Sequence, residues 1–106
     1  MTPPLSWPFT RRAAPPAVPD PVPPRDLRLY HFDACPYCVK VRRAAARLGV
    51  DLPLADTRQD PAALRALREA TGGTQVPCLF IDGVPLLESD DIIDWLEAYA
   101  KARGPG

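Results

Sequence analysis

The sequence carries no surplus of either charge. Thirteen lysines and arginines balance thirteen aspartates and glutamates, so the formal net charge is zero and the pI lies near 6.5. That balance leaves no electrostatic footprint for a phosphate backbone and argues against nucleic-acid binding. Long hydrophobic runs are missing too. Apolar stretches last only a few residues, against the roughly 20 that a membrane-spanning helix needs, so no membrane span is expected. Cysteine is sparse and odd in number, three in 106 residues, which fits a reducing compartment better than a secreted disulfide framework. A cytoplasmic protein is therefore expected. There is no internal repeat.

Proline is the exception to this scarcity. Nine of the fifteen prolines fall before residue 26. Residues 1–25 have no apolar period and cannot sustain a helix, because proline removes a backbone donor and fixes φ. They read as an extended, disordered arm of polyproline character, with Trp7 and Phe9 as isolated aromatics. Arg11-Arg12 lacks the apolar stretch that would follow it in an export signal. A single domain is expected over residues 26–103, with 104–106 as a flexible tail.

Within that domain, Leu27 to Phe32 is rich in strand formers. From Pro36 the pattern turns helical, with Val39, Val41, Ala44, Ala45 and Leu48 on adjoining faces and Gly49 as a stop. Leu52 to Ala55 suggests a second strand. Asp60 then caps a helix that has Pro61 in its first position, with Ala63, Leu64, Leu67 and Ala70 apolar and Gly72-Gly73 ending it. Val76 to Ile81 and Val84 to Leu87 form a hairpin about Asp82-Gly83. Ser89 is placed to cap a last helix, whose buried stripe is Ile92, Ile93, Trp95, Leu96 and Tyr99. The element order is β-α-β-α-β-β-α, an α/β domain whose first two strands are parallel with a right-handed crossover.

The chemistry-bearing feature is Cys35-Pro36-Tyr37-Cys38, where the first strand gives way to the first helix. A C-x-x-C at a helix start inside a βαβ pattern reads as a dithiol redox centre. Unpaired N–H groups and the helix dipole stabilise a thiolate at Cys35, while Cys38, one turn further in, is more buried and keeps its proton longer. Two other readings stay open on these residues. Cys35, Cys38, Cys78 and His31 are a possible zinc ligand set, although His31 and Cys78 are far from each other in sequence. A structural disulfide is the other, closing a loop too tight to constrain much.

Taken together, three motifs resemble the glutaredoxins, small members of the thioredoxin fold: Cys35-Pro36-Tyr37-Cys38-Val39-Lys40, Gln75-Val76-Pro77 and Ser89-Asp90-Asp91. The resemblance runs from about Leu27 to Lys101. It implies a thioredoxin-like (glutaredoxin) fold, with a four-stranded mixed sheet and flanking helices. It also implies a cis Val76-Pro77 bond, with Val76 pairing strand-like with the cysteinyl unit of glutathione. The start of the last helix, Ser89 and Asp90, would hold the γ-glutamyl carboxylate, as helix starts hold anions. Tyr37 and Gln75 would complete the glutathione contacts. The stretch through Leu87-Glu88-Ser89 also resembles the N-terminal domain of glutathione transferases, where a Glu-Ser pair receives the same group. The all-helical second domain of a transferase has no room in 106 residues.

The resemblance implies an enzyme, a glutathione-dependent thiol-disulfide oxidoreductase with Cys35 and Cys38 catalytic. Glutathione would be its co-substrate, with no bound cofactor and no metal. Its partners would be glutathionylated or disulfide-bearing proteins, met by a monomer. Alternatives are an iron-sulfur cluster carrier ligated through glutathione, a thioredoxin-like reductase fed by another donor, and a binding module whose arm does the work. Where glutaredoxins carry a lysine before the first cysteine, this chain has His31-Phe32-Asp33-Ala34, with Lys40 and Arg58 as candidate replacements. Cys78, directly after Pro77, reads as core packing.

Overall fold

The structure is a computed structural model and describes residues 18–104. Seven elements follow the expected order: β1 Leu27–His31, α1 Pro36–Leu48, β2 Leu54–Asp56, α2 Pro61–Thr71, β3 Cys78–Ile81, β4 Val84–Leu87 and α3 Ser89–Arg103. They build one mixed sheet in the spatial order β2-β1-β3-β4. The β1–β2 pair is parallel, and the β1–β3 and β3–β4 pairs are antiparallel.

Alternation along the central strands divides the interior into two layers. Leu27 and Leu29 of β1 with Leu79 and Ile81 of β3 face α1 and α3, where Val41, Ala45, Ile92, Trp95, Leu96 and Tyr99 meet them. Tyr30 and Cys78 point the other way, against Ala63 and Leu67 of α2. Two helices on one face and one on the other cover both surfaces of β3, which is apolar throughout, whereas Arg28 of β1 stays exposed.

Local signals set the element ends. Cys35 caps α1, Asp60 Oδ1 accepts from the Ala62 N–H at 3.0 Å to cap α2, and Gly49 and Gly72 end these helices in the left-handed region. Asp82 and Gly83 both take positive φ (51° and 83°), as a two-residue hairpin demands.

Several expectations are corrected. β1 stops at His31, because the Phe32 carbonyl turns to accept from the Cys35 N–H at 3.2 Å. β2 starts at Leu54 and β3 at Cys78, each directly after a proline that has no N–H to give the ladder. Ala70 is exposed and Val39 and Ile93 only half-buried, since each helix shows the sheet a narrower stripe than its apolar residues suggest. Ser89 is not the cap of α3. Glu88, at φ 75°, turns the chain straight out of β4, so Ser89 already lies in the first helical turn and no side chain caps the end.

The inner end of the arm lies against the domain. Its first seventeen residues, including Trp7, Phe9 and Arg11-Arg12, lie outside the described residues. Residues 18–25 run without helix or strand but are fastened to the domain: Val18 packs on the α1/α3 core, Trp95 Nε1 donates to the Pro19 carbonyl at 3.0 Å, and Arg25 pairs with Asp82 at 2.9 Å. Val22 is exposed, and its N–H donates to the Asp20 carbonyl at 2.7 Å.

Candidate active site

At the C-terminal end of β1 the turn Phe32–Cys35 delivers Cys35 to the N-cap of α1, with φ −73° and ψ 116°. Cys35 Sγ accepts from the Cys38 N–H at 3.2 Å, so the sulfur faces one of the unpaired donors of the helix start. Pro36 occupies the first helical position, where its missing N–H costs nothing, and no acidic residue lies in the first turn to oppose an anion. Cys35 is 5% exposed and Cys38 is fully buried. Burial, then contact with the Cys35 thiol, pushes the Cys38 thiol up to about 12, against smaller lowerings by the Phe32 backbone and Arg42.

A groove of about 400 Å³ opens beside this turn. It is lined by Tyr37, Gln75, Val76, Pro77, Glu88, Ser89 and Asp90, and so brings together all six residues expected to contact a ligand. The Val76-Pro77 bond is cis. Tyr37 is 62% exposed, a large aromatic wall standing free in solvent. At the opposite side the first N–H groups of α3 have no partner within the helix, and no side chain caps them. Gln75 Nε2 donates to Glu88 Oε2 at 3.4 Å across the groove floor. Lys40 Nζ meets Asp90 Oδ1 at 2.6 Å, which offsets one carboxylate at the groove's edge.

Glu88 is the lining residue that was not assigned to the site from sequence. Its backbone geometry costs a non-glycine residue of order 1–3 kcal/mol, and such strain gathers at functional positions. The Glu88-Ser89 pair was the available signal.

The two candidate replacements for the missing lysine go different ways. Lys40 is engaged with Asp90, whereas the Arg58 guanidinium stacks 3.7 Å above the Phe32 ring, on the turn that precedes Cys35. Cys78 is fully buried against α2, and burial pushes its thiol up to about 12. The set Cys35, Cys38, Cys78 and His31 does not converge among the described residues, since Cys78 faces the α2 side of the sheet. His31 is 3% exposed, and burial, followed by the charge of Arg42, holds its imidazole below the ordinary value, with Asp56 and Asp33 opposing.

A cysteine capping the first helix of a β-α-β-α-β-β-α domain, beside a cis-proline loop and an uncapped helix start, is the arrangement of thioredoxin-fold proteins. Among these, the chain belongs to the family of glutathione S-transferase N-terminal domains, whose model matches residues 29–104. Solved structures of the same fold are similar to it. Glutaredoxin 2 from Chlamydomonas reinhardtii is 30% identical with a TM-score of 0.53, and the match covers 74% of this chain and 84% of that one. The maleylacetoacetate isomerase of Anaeromyxobacter dehalogenans, solved with dicarboxyethyl glutathione in its active site, is 28% identical with a TM-score of 0.54, over 76% and 39% of the two chains. The tau-class glutathione S-transferase of mango, Mangifera indica, shares the fold at 19% identity and a TM-score of 0.60. That match covers 73% of this chain, which spans about a third (35%) of the transferase's length. No curated protein matches the sequence.

Proposed function

We propose that the protein is a glutathione-dependent thiol-disulfide oxidoreductase. The observation that carries this reading is the juxtaposition of Cys35, at the N-cap of a helix with no acidic residue in its first turn, with the groove of Tyr37, Gln75, Val76, Pro77, Ser89 and Asp90. The Cys35 thiolate attacks the glutathionyl sulfur of a mixed disulfide. A Cys35–glutathione disulfide forms, and the substrate's thiolate leaves and takes a proton from solvent. The thiolate of a second glutathione then attacks the glutathionyl sulfur, releasing oxidised glutathione and the Cys35 thiolate. Alternatively Cys38 attacks Cys35, leaving a Cys35–Cys38 disulfide and free glutathione. A Cys38 thiol held near 12 favours the first route.

The groove orients the attack. The open N–H groups of α3 with Ser89 would take the γ-glutamyl carboxylate, Val76 the cysteinyl unit, and Tyr37 would flank the sulfur. Arg58, stacked on Phe32 in the turn before Cys35, would be the cation for the glycyl carboxylate. No resident cofactor is required, and the setting would be a reducing compartment such as the cytoplasm, with a monomer acting on glutathionylated proteins.

The test is turnover of a glutathionylated peptide with glutathione as reductant, in wild type, Cys35→Ser and Cys38→Ser. Loss of activity in Cys35→Ser with retention in Cys38→Ser is expected. A folded wild type inactive with glutathione but active with a dithiol or protein donor would overturn the glutathione dependence. Brown colour with sulfide-bound iron after anaerobic purification would point instead to cluster carriage.

A further inference from the structure

We propose that His31, Asp33 and Asp56 form a binding site for a divalent transition cation of the Zn2+ class, set behind the thiol-bearing turn. His31 and Asp56 are direct partners in the parallel β1–β2 register, so both side chains leave the same face at the sheet's C-terminal edge. Asp33 joins them from the turn that leads to Cys35. One ring nitrogen of His31 and one oxygen from each carboxylate lie within 4.8 Å of one another.

Each of the three side chains keeps an atom for a ligand. His31 is 3% exposed, and its Nδ1 has no hydrogen-bond partner among the described residues, a loss of roughly 1–3 kcal/mol for a buried polar group. Neither carboxylate takes part in an ion pair among the described residues. Arg42 reaches Asp33 only through its backbone carbonyl, at 3.4 Å, and the Arg58 guanidinium lies over Phe32. Asp56 Oδ1 accepts from the N–H groups of Arg58 and Gln59 at 2.9 and 3.0 Å, which fixes the carboxylate and leaves its second oxygen for a ligand.

One imidazole and two carboxylates are a borderline-hard donor set, suited to Zn2+ or Mn2+ rather than to a soft ion. Bonds of about 2.0–2.2 Å would draw the three atoms closer together than they now lie. Asp33, in an exposed turn, is the ligand free to move. The site shares no residue with the groove or the thiols, and so does not depend on the proposed reductase activity.

His31 is the sole histidine of the chain, which makes its imidazole a unique reporter. The experiment uses untagged, full-length protein carrying Cys35→Ser and Cys38→Ser, so that thiolates do not compete. ¹⁵N imidazole spectra are followed while Zn2+ is added. A ring-nitrogen shift that saturates at one equivalent is expected, with binding weakened at least tenfold by Asp33→Asn and by Asp56→Asn. Both substitutions lie outside the core and keep the Asp56 cap, and the amide spectrum checks that each variant is folded. Imidazole resonances unmoved at two equivalents, or a shift that both asparagine variants leave intact, would overturn the site.

Discussion

Two thiols, Cys38 and Cys78, are fully buried and stay protonated up to about pH 12, mainly because burial penalises the thiolate. In the unfolded chain the same groups lose their protons near pH 9, the ordinary value. A raised native pKa contributes stability that is complete below pH 9 and is lost as the pH climbs toward 12. At pH 10.5 that loss is about 2 kcal/mol for each thiol, or about 4 kcal/mol together, a large part of the 5–15 kcal/mol by which a domain is usually stable. Cys78→Val removes one of the two titrations and keeps a β-branched residue in a central strand. Urea unfolding in the presence of a non-thiol reductant at pH 7.5 and 10.5 measures the effect. Over that interval the variant is expected to lose roughly 2 kcal/mol less than wild type, while lysines and tyrosines titrate alike in both and cancel. Equal alkaline losses in the two proteins would refute the reasoning, because Cys78 would then ionise in the native state like an exposed thiol.

Other expectations follow from single contacts. Asp60→Ala removes the Oδ1 cap of α2 and should cost about 0.5–2 kcal/mol in urea unfolding. Trp95→Phe deletes the bond from Nε1 to the Pro19 carbonyl; about 1 kcal/mol of stability should go, and hydrogen exchange should quicken in residues 20–25 before anywhere else. Asp82 accepts from the Asp26 N–H and pairs with Arg25, which together hold its carboxyl below the ordinary value. A depressed pKa stabilises above the ordinary value near 3.8 and is lost as the pH falls through the native one, so Asp82→Asn should show a shallower loss of thermal stability between pH 4 and 2. Asparagine tolerates the positive φ of that turn, which keeps the hairpin out of the comparison.

Much of the architecture is written locally. Cys35-Pro36, Asp60-Pro61, Gly49, Gly72 and Asp82-Gly83 act through their own backbone conformations and a bond or two to neighbours a few residues away, so their effect can be read without knowing the rest of the chain. The order of strands and helices follows, as does the thiol at a helix start. Six of the groove's seven lining residues were legible for a related reason: each belongs to a short motif, Tyr37 in the C-x-x-C segment, Gln75 to Pro77, or Ser89-Asp90. Glu88 is legible only through the Glu88-Ser89 pair, while its positive φ depends on the angle at which β4 enters α3.

What tertiary structure alone decided are pairings between residues distant along the chain. The register of β1 on β2 sets His31 beside Asp56, and the packing of α1 on α3 brings Lys40 to Asp90. Trp95 catches Pro19 across more than seventy residues, which turns part of an apparent arm into a fastened segment. Alternation tells which strand residues share a side of the sheet, but only the placement of α2 buries Cys78 on the side away from α1 and α3. Conformational preferences act over a few bonds and show in composition and spacing. Contacts, burial and charge proximity depend on how whole elements pack, and no single stretch of sequence records that.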